Sequence, residues 1–345
     1  MRSRLLTYSA AAAFLLGIGS PAVQAQGDDR AGTAAMEELL VPITPRTVAL
    51  GSALTSGLST ISGVEALQSN PAALMVNPTT NAMFSRTEYL ADIGINYFGI
   101  AQNFGSNNIA LTISNWDYGD IPLQTENDPE ITAGLTYDAS TTVVGLSYAR
   151  QFTDRIAAGI TAKALNRSIF TVNSTGVAFD AGMTYVVGET GLRFGVSLKN
   201  FGPQMGFDGL GLDDSADSDG PSGDFDVPVQ IRDLESELPS LLNFGAAYTR
   251  QFAGDLSASV MANFRSNAYD LDQYAAGVEL GYMDLIYARA GVNLTADTDM
   301  SAWEVWNVGA GLNLDMVGNG LAIDYAYRPS DVFGGVNVFS VGFTL

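Results

Sequence analysis

The pattern of apolar residues constrains the fold of this chain more than any other feature of its sequence. From about residue 81 to the end, apolar residues alternate with small or polar ones in stretches of roughly ten, the length of a membrane-barrel strand. In 320–327 the apolar positions are Leu321, Ile323, Tyr325 and Tyr327, and those between them are Gly320, Ala322, Asp324 and Ala326. Successive side chains of a strand point to opposite faces, so this period of two predicts strands with one apolar and one polar face.

The composition of the polar face separates a soluble sheet protein from a membrane barrel. A soluble antiparallel sheet buries its apolar face and exposes a polar face, which is usually rich in charged residues. Here the polar positions are mostly Gly, Ala, Ser, Thr and Asn, and the whole chain contains only two lysines, Lys163 and Lys199. A lipid-embedded barrel needs the opposite arrangement, apolar side out and polar side in, with no unpaired edge. The alternation therefore favours a barrel in a membrane.

The pattern predicts fourteen strands, an even number, as expected for a bacterial barrel. Their expected positions are 80–88, 93–103, 108–118, 141–151, 156–166, 175–187, 191–199, 240–251, 256–266, 273–282, 285–294, 305–315, 319–327 and 336–344. Short turns follow the even strands. Longer links mostly follow the odd ones, notably 119–140 and 200–239, with 89–92 as a short exception. Short periplasmic turns and longer outer loops are typical of membrane barrels, so the predicted fold is all-β, a 14-stranded antiparallel transmembrane β-barrel.

The N-terminus predicts export. Arg2 and Arg4 precede a mostly apolar stretch, Leu5 to Gly19, and Val23-Gln24-Ala25 fits the cleavage pattern of a signal peptide cut before Gln26. A buried N-terminal helix is the alternative interpretation, but it does not explain why a basic start, an apolar stretch and a cleavage site occur together. No later uncharged apolar run has the length of about 18 residues that a membrane helix needs. We expect a bacterial outer-membrane protein with a cleaved signal peptide.

Between the signal peptide and the first strand lies a segment that we expect to plug the barrel. The predicted division is 1–25 signal peptide, 26–78 hatch and 79–345 barrel, with 200–239 as a long acidic extracellular loop. Side chains alone fill a barrel of about eight strands, so a fourteen-stranded barrel needs a plug unless it is an open pore. A disordered leader is the alternative, but the low charge of this segment is not typical of disorder.

Charge and missing residue types exclude several functions. The net charge is −21, and −23 once the signal peptide is removed, whereas a nucleic-acid partner requires a basic surface. The chain has no His and no Cys, which excludes Ser-His-Asp and Cys-His catalysis, the usual zinc sites and disulfides. We therefore expect no enzyme, no cofactor, no metal site and no nucleic-acid partner.

Several strings in order along the chain resemble one family. The segment from Arg46 to Gly51, and then the segment Gly63-Val64-Glu65-Ala66-Leu67-Gln68-Ser69-Asn70-Pro71-Ala72-Ala73-Leu74, resemble the N-terminal signature of the PorV/PorQ family. Further matches are 87–93, 147–150, 199–203, 238–241 and 324–329. These outer-membrane proteins are related to the FadL fatty-acid transporters. The family usually has Gly where this chain has Ala73. The resemblance implies a FadL-like fourteen-stranded barrel whose hatch or gating residues include Gly51, Asn70, Pro71 and Ala72.

The resemblance leaves two function classes open. Similarity to PorV implies a non-catalytic component of type IX secretion that binds or shuttles exported proteins, with outer-membrane lipid and secreted cargo or other secretion components as partners. The alternative, from the FadL relation, is a passive channel for hydrophobic small molecules. An apolar pocket between hatch and wall favours the channel, and a lumen packed shut beneath outward-reaching loops favours the protein-binding role.

Two sets of charged residues are candidates for chemistry. Seven fall on the inward-facing register: Asp180, Arg193, Lys199, Arg265, Glu279, Arg289 and Asp324. They either fix the hatch and offset one another, or line a path for a polar substrate. The link 208–237 is strongly acidic, and Asp217 to Gly220 with Asp226 partly matches a calcium loop. Position twelve is Asp226 rather than Glu, so a solvated outer loop is the favoured interpretation.

Overall fold

The fold is described from a computed structural model. It describes residues 32–58, 60–61, 63–125, 128–220, 223–252, 255–295, 305–316, 319–330 and 334–345, without the side chains of 215–220, 223–227 and 315–316. The predicted signal peptide lies outside these residues, as does the start of the hatch up to residue 31. No helix in these ranges is long and apolar enough to cross a membrane.

Fourteen of the described strands close into one antiparallel barrel, because the first strand pairs with the last. The barrel strands are β1 (Asn81–Glu88), β2 (Gly94–Asn103), β3 (Asn107–Pro122), β4 (Thr136–Thr153), β5 (Ile156–Ile169), β6 (Val172–Val186), β7 (Leu192–Phe201), β10 (Leu241–Phe252), β11 (Leu256–Asn267), β12 (Gln273–Tyr282), β13 (Ile286–Thr295), β14 (Trp306–Met316), β15 (Asn319–Arg328) and β16 (Val336–Thr344). β8 (Asp213–Gly220) and β9 (Gly223–Gln230) form a separate hairpin between β7 and β10. The predicted transmembrane barrel is confirmed.

Each barrel strand exposes its apolar row and buries its small or polar row. The exposed row includes Phe98, Ile100, Leu111, Leu146, Ile160, Phe179, Phe194, Phe244, Val278 and Ile323. The buried row includes Ser85, Ser147, Thr161, Ser197, Asn243 and Ser259. Exposed large apolar side chains on every side of a closed sheet are the surface that hydrocarbon requires.

The strands differ from the predicted ranges mainly at their outer ends, where β3, β4, β5 and β6 run several residues further. The link after β5 is short as well, because β5 ends at Ile169 and β6 begins at Val172. The acidic link is not wholly irregular, since β8 and β9 pair in register from Asp213 with Gln230 to Gly220 with Gly223. This extended hairpin is not the closed twelve-residue loop that surrounds a calcium ion.

The N-terminal segment fills the lumen. Its only helix in the described residues is α1 (Pro45–Ala49), followed by 3-10 turns at Gly63–Gln68 and Pro71–Met75. Three shorter 3-10 turns lie at Glu37–Leu40, Leu90–Asp92 and Leu210–Leu212. Pro at the first position starts α1 and the 71–75 turn, as its fixed φ favours.

Glycines of the wall explain how the hatch backbone approaches so closely. A Cβ atom on Gly195 of β7 would lie 2.1 Å from the carbonyl oxygen of Thr55, and one on Gly291 of β13 would lie 2.4 Å from the nitrogen of Gly51. Gly159, Gly182, Gly245, Gly277 and Gly309 give the hatch similar room on other strands. The high glycine content of the inward rows therefore has a packing reason, since only glycine admits a neighbouring backbone at this distance.

Candidate functional site: the plugged lumen

The described lumen contains a cavity on each side of the hatch. The larger, of about 1020 Å³, opens at the barrel end formed by the short turns, which is the periplasmic end. Its rim includes 283–285, 319–322 and 342–344, and its inner end is formed by Arg46, Glu65 and Asp324. We call it the vestibule. It leads from the periplasmic side to the hatch and ends there.

The smaller cavity, of about 90 Å³, lies deeper in the barrel on the outer side of the hatch. We call it the inner cavity. Its apolar walls are Leu39, Val41, Ile43, Leu67, Tyr97, Trp116 and Val143. Its polar side is formed by Lys163, Asp180 and Lys199 together with serine and threonine hydroxyls of β3, β4 and β5. A mostly apolar chamber with a few convergent polar groups is typical of a small-molecule site.

The 63–68 turn separates the two cavities. Val64 and Glu65 line the vestibule, whereas Leu67 and Gln68 line the inner cavity. The turn is held against the wall, because the Tyr97 hydroxyl donates a 2.8 Å hydrogen bond to the carbonyl of Val64. The partition between the two cavities is thus one short turn, with Ile43 on the side of the inner cavity and Arg46 on the side of the vestibule.

A buried ionic network joins the hatch to the wall. Arg46 on α1 lies 2.9 Å from Asp324 of β15 and 3.3 Å from Glu65 of the hatch. Arg289 of β13 continues the network, 2.7 Å from Asp324 and 2.6 Å from Glu279 of β12. The network returns to the hatch, because the Thr60 hydroxyl donates to Glu279 and Arg46 donates to the Thr60 carbonyl. We call these residues the latch network.

The charges of the latch network do not cancel. Two guanidinium groups face three carboxylates, so one negative charge is in excess if all are ionised. Burial raises the pKa of Glu65, which lies on the hatch rather than on a strand, and the nearby Arg46 offsets part of that rise. Removing one member of such a buried group leaves its partners uncompensated, at a cost of about 3–5 kcal/mol. The network therefore holds the hatch strongly while it is intact.

A second polar cluster lies on the opposite side, where β5, β6 and β7 meet. Lys163 pairs with Asp180 at 2.7 Å and donates to the Asn200 side chain at 2.8 Å. Asn200 sits at a β-bulge with a positive φ of 58°, and its backbone nitrogen donates to Asp180. Lys199 precedes it and donates to the carbonyl of Gln68 on the partition turn. The bulge turns Lys199 and Asn200 inward together, which places two polar side chains where strict alternation predicts one.

A further contact holds residues 36–43, which we call the strap, across the outer end of the inner cavity. Met36 is buried against Leu165, Met205 and Leu238. Glu38 pairs with Arg167 of β5 and accepts hydrogen bonds from the Tyr118 and Thr141 hydroxyls. The nitrogen of Ala35 donates to the carbonyl of Glu237, so the strap meets the long loop at the outer mouth. The strap closes the inner cavity from outside.

We expect Glu38→Gln to free the strap, because the variant loses the ion pair and leaves Arg167 without its carboxylate. Charge-assisted hydrogen bonds of this kind contribute about 1.5–3 kcal/mol, so the strap should open about ten- to a hundredfold more often. Amide hydrogen exchange of 36–43 in detergent measures this directly. Glu37→Gln is the matched control, since Glu37 is adjacent and exposed. Equal exchange rates in the two variants would contradict the assigned role of Glu38.

The seven predicted lumen charges all lie on the inward side, but in different surroundings. Glu279, Arg289 and Asp324 belong to the latch network, and Asp180 and Lys199 to the second cluster. Arg265 bonds to neutral amides, 3.2 Å from Asn243 and 3.3 Å from Gln273. Arg193 lies near the periplasmic end, and its Nη1 has no hydrogen-bond partner among the described residues. The structure does not bring the seven together into one path.

The predicted hatch residues occupy two separate positions. Gly51 follows α1 with a φ of +63° and packs against Val292 of β13. Asn70, fully buried, caps the 71–75 turn by accepting from the nitrogen of Ala72. Its amide also donates to the carbonyls of Thr55, Met183 and Val196. Pro71 packs on Gly159 of β5. These residues dock the hatch on the wall, while the turn between the two cavities is 63–68.

Sequence reasoning missed Arg46, Glu65, Lys163, Asn200 and Glu38 as site residues. Arg46 and Glu65 are in the strings that carry the family resemblance, so their charge inside an apolar, small-residue segment was the available signal. Lys163 is one of only two lysines and lies on an inward register, which was a second signal. Asn200 lies in the 199–203 string, but alternation places it on the outward face, because the bulge that turns it inward is not visible in the sequence pattern.

No protein-family model matches the chain, and no curated protein matches it in sequence. Solved structures do match. The monoaromatic hydrocarbon channel CymD superimposes with a TM-score of 0.57 at 12% identity, covering 88% of this chain and 97% of its own. The toluene transporter TbuX of Ralstonia pickettii gives 0.50 at 12% identity, covering 86% and 97%. The toluene transporter TodX of Pseudomonas putida gives 0.50 at 13% identity, covering 85% and 96%.

At these identities the likeness shows a shared fold. The chain has the same barrel architecture as these three proteins over 85–88% of its length. None of the three proteins named is a PorV or PorQ protein, and the secretion role remains a prediction from the sequence strings.

Proposed function

We propose that the chain is an outer-membrane channel that admits small hydrophobic molecules by passive passage through the inner cavity. The observation that supports this most directly is the inner cavity itself, an apolar chamber between hatch and wall. Of the three structural neighbours named above, one is a monoaromatic hydrocarbon channel and two are toluene transporters, and the same class of molecule is the natural first candidate here. This is the alternative of the two predicted functions.

The chemistry of the walls supports an apolar cargo. Tyr97 and Trp116 are buried and line the cavity, and Leu39, Val41 and Leu67 complete its apolar side. Aromatic rings favour contact with other rings in offset or edge-to-face arrangements. Transfer of an apolar molecule from water into such a site is favourable in proportion to the area that it buries.

The size of the cavity implies that passage is gated. A volume of about 90 Å³ is smaller than the roughly 150 Å³ cavity that accommodates benzene in an engineered protein. A ring therefore enters only if a wall moves, and the strap contributes four wall residues, Glu38, Leu39, Val41 and Ile43. We infer that the strap opens the cavity to the outside and that the 63–68 turn opens it to the vestibule.

Uptake in whole cells tests the proposal. Radiolabelled toluene is offered at low concentration to cells that lack other hydrocarbon channels and express either this chain or an empty vector. Faster uptake with the chain supports the channel. Uptake equal to the vector, together with a secreted protein that co-purifies with the barrel from detergent, would instead support the secretion role.

Filling the inner cavity should block passage without disturbing the fold. Val143 of β4 lines the cavity, whereas Val144 is the next residue and faces lipid. We expect Val143→Trp to occupy the space that a ring needs and to lower toluene uptake about tenfold or more. Val144→Trp adds the same side chain on the lipid face, where Trp is well tolerated. If both variants transport like the parent, passage does not use the inner cavity.

A further inference from the structure

The sequence contains one short motif twice, at the ends of two strands that descend to the periplasmic side. Tyr148-Ala149-Arg150-Gln151-Phe152 ends β4, and Tyr248-Thr249-Arg250-Gln251-Phe252 ends β10. The proposed channel function uses neither copy, because their Tyr, Arg and Phe side chains point away from the lumen.

The two copies have the same geometry. In each, Tyr, Arg and Phe occupy successive outward positions, so they form one row on the lipid-facing surface. The guanidinium carbon of Arg150 lies 5.6 Å from the centre of the Phe152 ring, and that of Arg250 lies 5.3 Å from the centre of the Phe252 ring. A guanidinium at this distance is attracted by the ring, which fixes its position.

On the side of the following strand, both guanidinium groups are next to a short side chain, whereas on its other side Arg150 is paired with Asn107 of β3. Arg150 is paired in register with Ala158 of β5, and Arg250 with Ala258 of β11. Alanine is too short to cover an arginine side chain, and both arginines are exposed. Neither is in an ion pair with a carboxylate in the part of the chain that the structure describes, although Asp154 and Asp255 lie in the adjacent turns.

The position of Arg150 and Arg250 in the membrane indicates which molecule they contact. Tyr148 and Tyr248 lie directly above them on the same faces, 41% and 44% exposed, as expected for aromatic residues at a membrane interface. The end formed by short turns faces the periplasm, where the leaflet of an outer membrane consists of phospholipid. A guanidinium presents parallel N–H groups that match a phosphate, and the apolar row above it matches acyl chains.

We propose that Arg150 and Arg250 each bind the phosphate group of an anionic phospholipid in the periplasmic leaflet. The headgroup phosphate contacts the guanidinium in the space beside Ala158 or Ala258. The phenyl ring of Phe152 or Phe252 packs against the other side of the guanidinium. The acyl chains lie along the apolar row of the strand. The barrel thus carries two similar lipid sites, four strand positions apart in the order β4-β5-β6-β7-β10.

Lipid retention measures the two sites. The full chain is placed in nanodiscs of phosphatidylcholine with a minor fraction of phosphatidylglycerol, transferred to detergent and analysed by native mass spectrometry. We expect two phosphatidylglycerol molecules on the parent, one on Arg150→Gln or Arg250→Gln, and none on the double variant. Arg232→Gln removes the same charge from the exposed outer loop and should retain both. Heat-modifiable gel migration confirms that each variant is a closed barrel.

Three results would overturn the proposal. The first is unchanged retention by the double variant, and the second is equal loss in Arg232→Gln, which would indicate an effect of net charge. In a parallel arm, nanodiscs contain lipid A in place of phosphatidylglycerol. The third result is that the parent retains as much lipid A as phosphatidylglycerol and that the double variant loses it, which would show that the arginines bind a phosphate of lipopolysaccharide instead.

Discussion

We expect Arg46→Ala to convert the closed barrel into a leaky one. Arg46 is the hatch residue that reaches Asp324 on the wall, and its removal leaves Asp324 and Glu65 facing each other without their shared cation. A loss of about 3–5 kcal/mol from a buried pair raises the population of undocked hatch by about two to four powers of ten. The barrel wall should persist, because its strands stay fully paired. Conductance of single barrels in planar bilayers and uptake of a large polar antibiotic both measure the leak.

A double-mutant cycle separates the latch from general destabilisation. Asp324→Ala alone leaves Arg46 without this partner, and the Arg46→Ala Asp324→Ala chain removes both charges. The combined effect should be clearly smaller than the sum of the single effects, as for residues in direct contact. Arg232→Ala, on the exposed outer loop, is the control for charge removal. Additive effects, or unchanged conductance with a protease-resistant hatch, would contradict the latch.

The barrel was predictable because the membrane imposes one rule on every strand. Backbone groups in hydrocarbon must all be paired, and each outward side chain must be apolar. Both the number of strands and the outward face of each strand can therefore be predicted from the period-two alternation of apolar residues. β12 and β16 have the predicted bounds at 273–282 and 336–344. The extensions of β3 to β6 stand beyond the apolar belt, where the rule no longer applies and alternation fades.

The acidic hairpin illustrates the limit of that rule. β8 and β9 are rich in Asp, a residue that is uncommon in strands. They lie in an outer loop that is surrounded by water, so the alternation that lipid imposes on the barrel strands is not required there. Their pairing comes from the antiparallel connection through Gly220 and Gly223, which the sequence pattern of the barrel does not contain.

The candidate site was less predictable, because its contacts join distant parts of the chain. Arg46 and Asp324 are 278 residues apart, and inward register alone does not indicate which charges meet. The alternation in β15 predicts that Asp324 faces the lumen. Its contact with Arg46 depends on the path of the hatch through the lumen, which the alternation does not indicate. The position of the strap is a second example. The strap lies at the outer mouth, whereas the chain after it runs back to the start of β1 at the periplasmic end, and this path is visible only in the folded structure.

The wall glycines allow a test of hatch docking that leaves every charge in place. A valine at Gly195 would place its Cβ 2.1 Å from the carbonyl oxygen of Thr55 and 2.6 Å from Cα of Ser56, and backbone atoms cannot rotate away as a side chain does. Overpacking of this kind costs about 1–3 kcal/mol, so Gly195→Val should undock the hatch about five- to a hundredfold more often.

Cysteine labelling reads this undocking directly, because the native chain has no cysteine. Ala73→Cys places one thiol within the 71–75 turn of the hatch, at a position that is 1% exposed, and its rate of reaction with a maleimide reports hatch opening. Gly342→Val is the matched control, since it is also an inward-facing wall glycine but its nearest neighbours lie at 3.8 and 3.9 Å. We expect fast labelling with Gly195→Val and parental labelling with Gly342→Val. Parental rates in both would mean that the hatch does not depend on the close approach that the glycines permit.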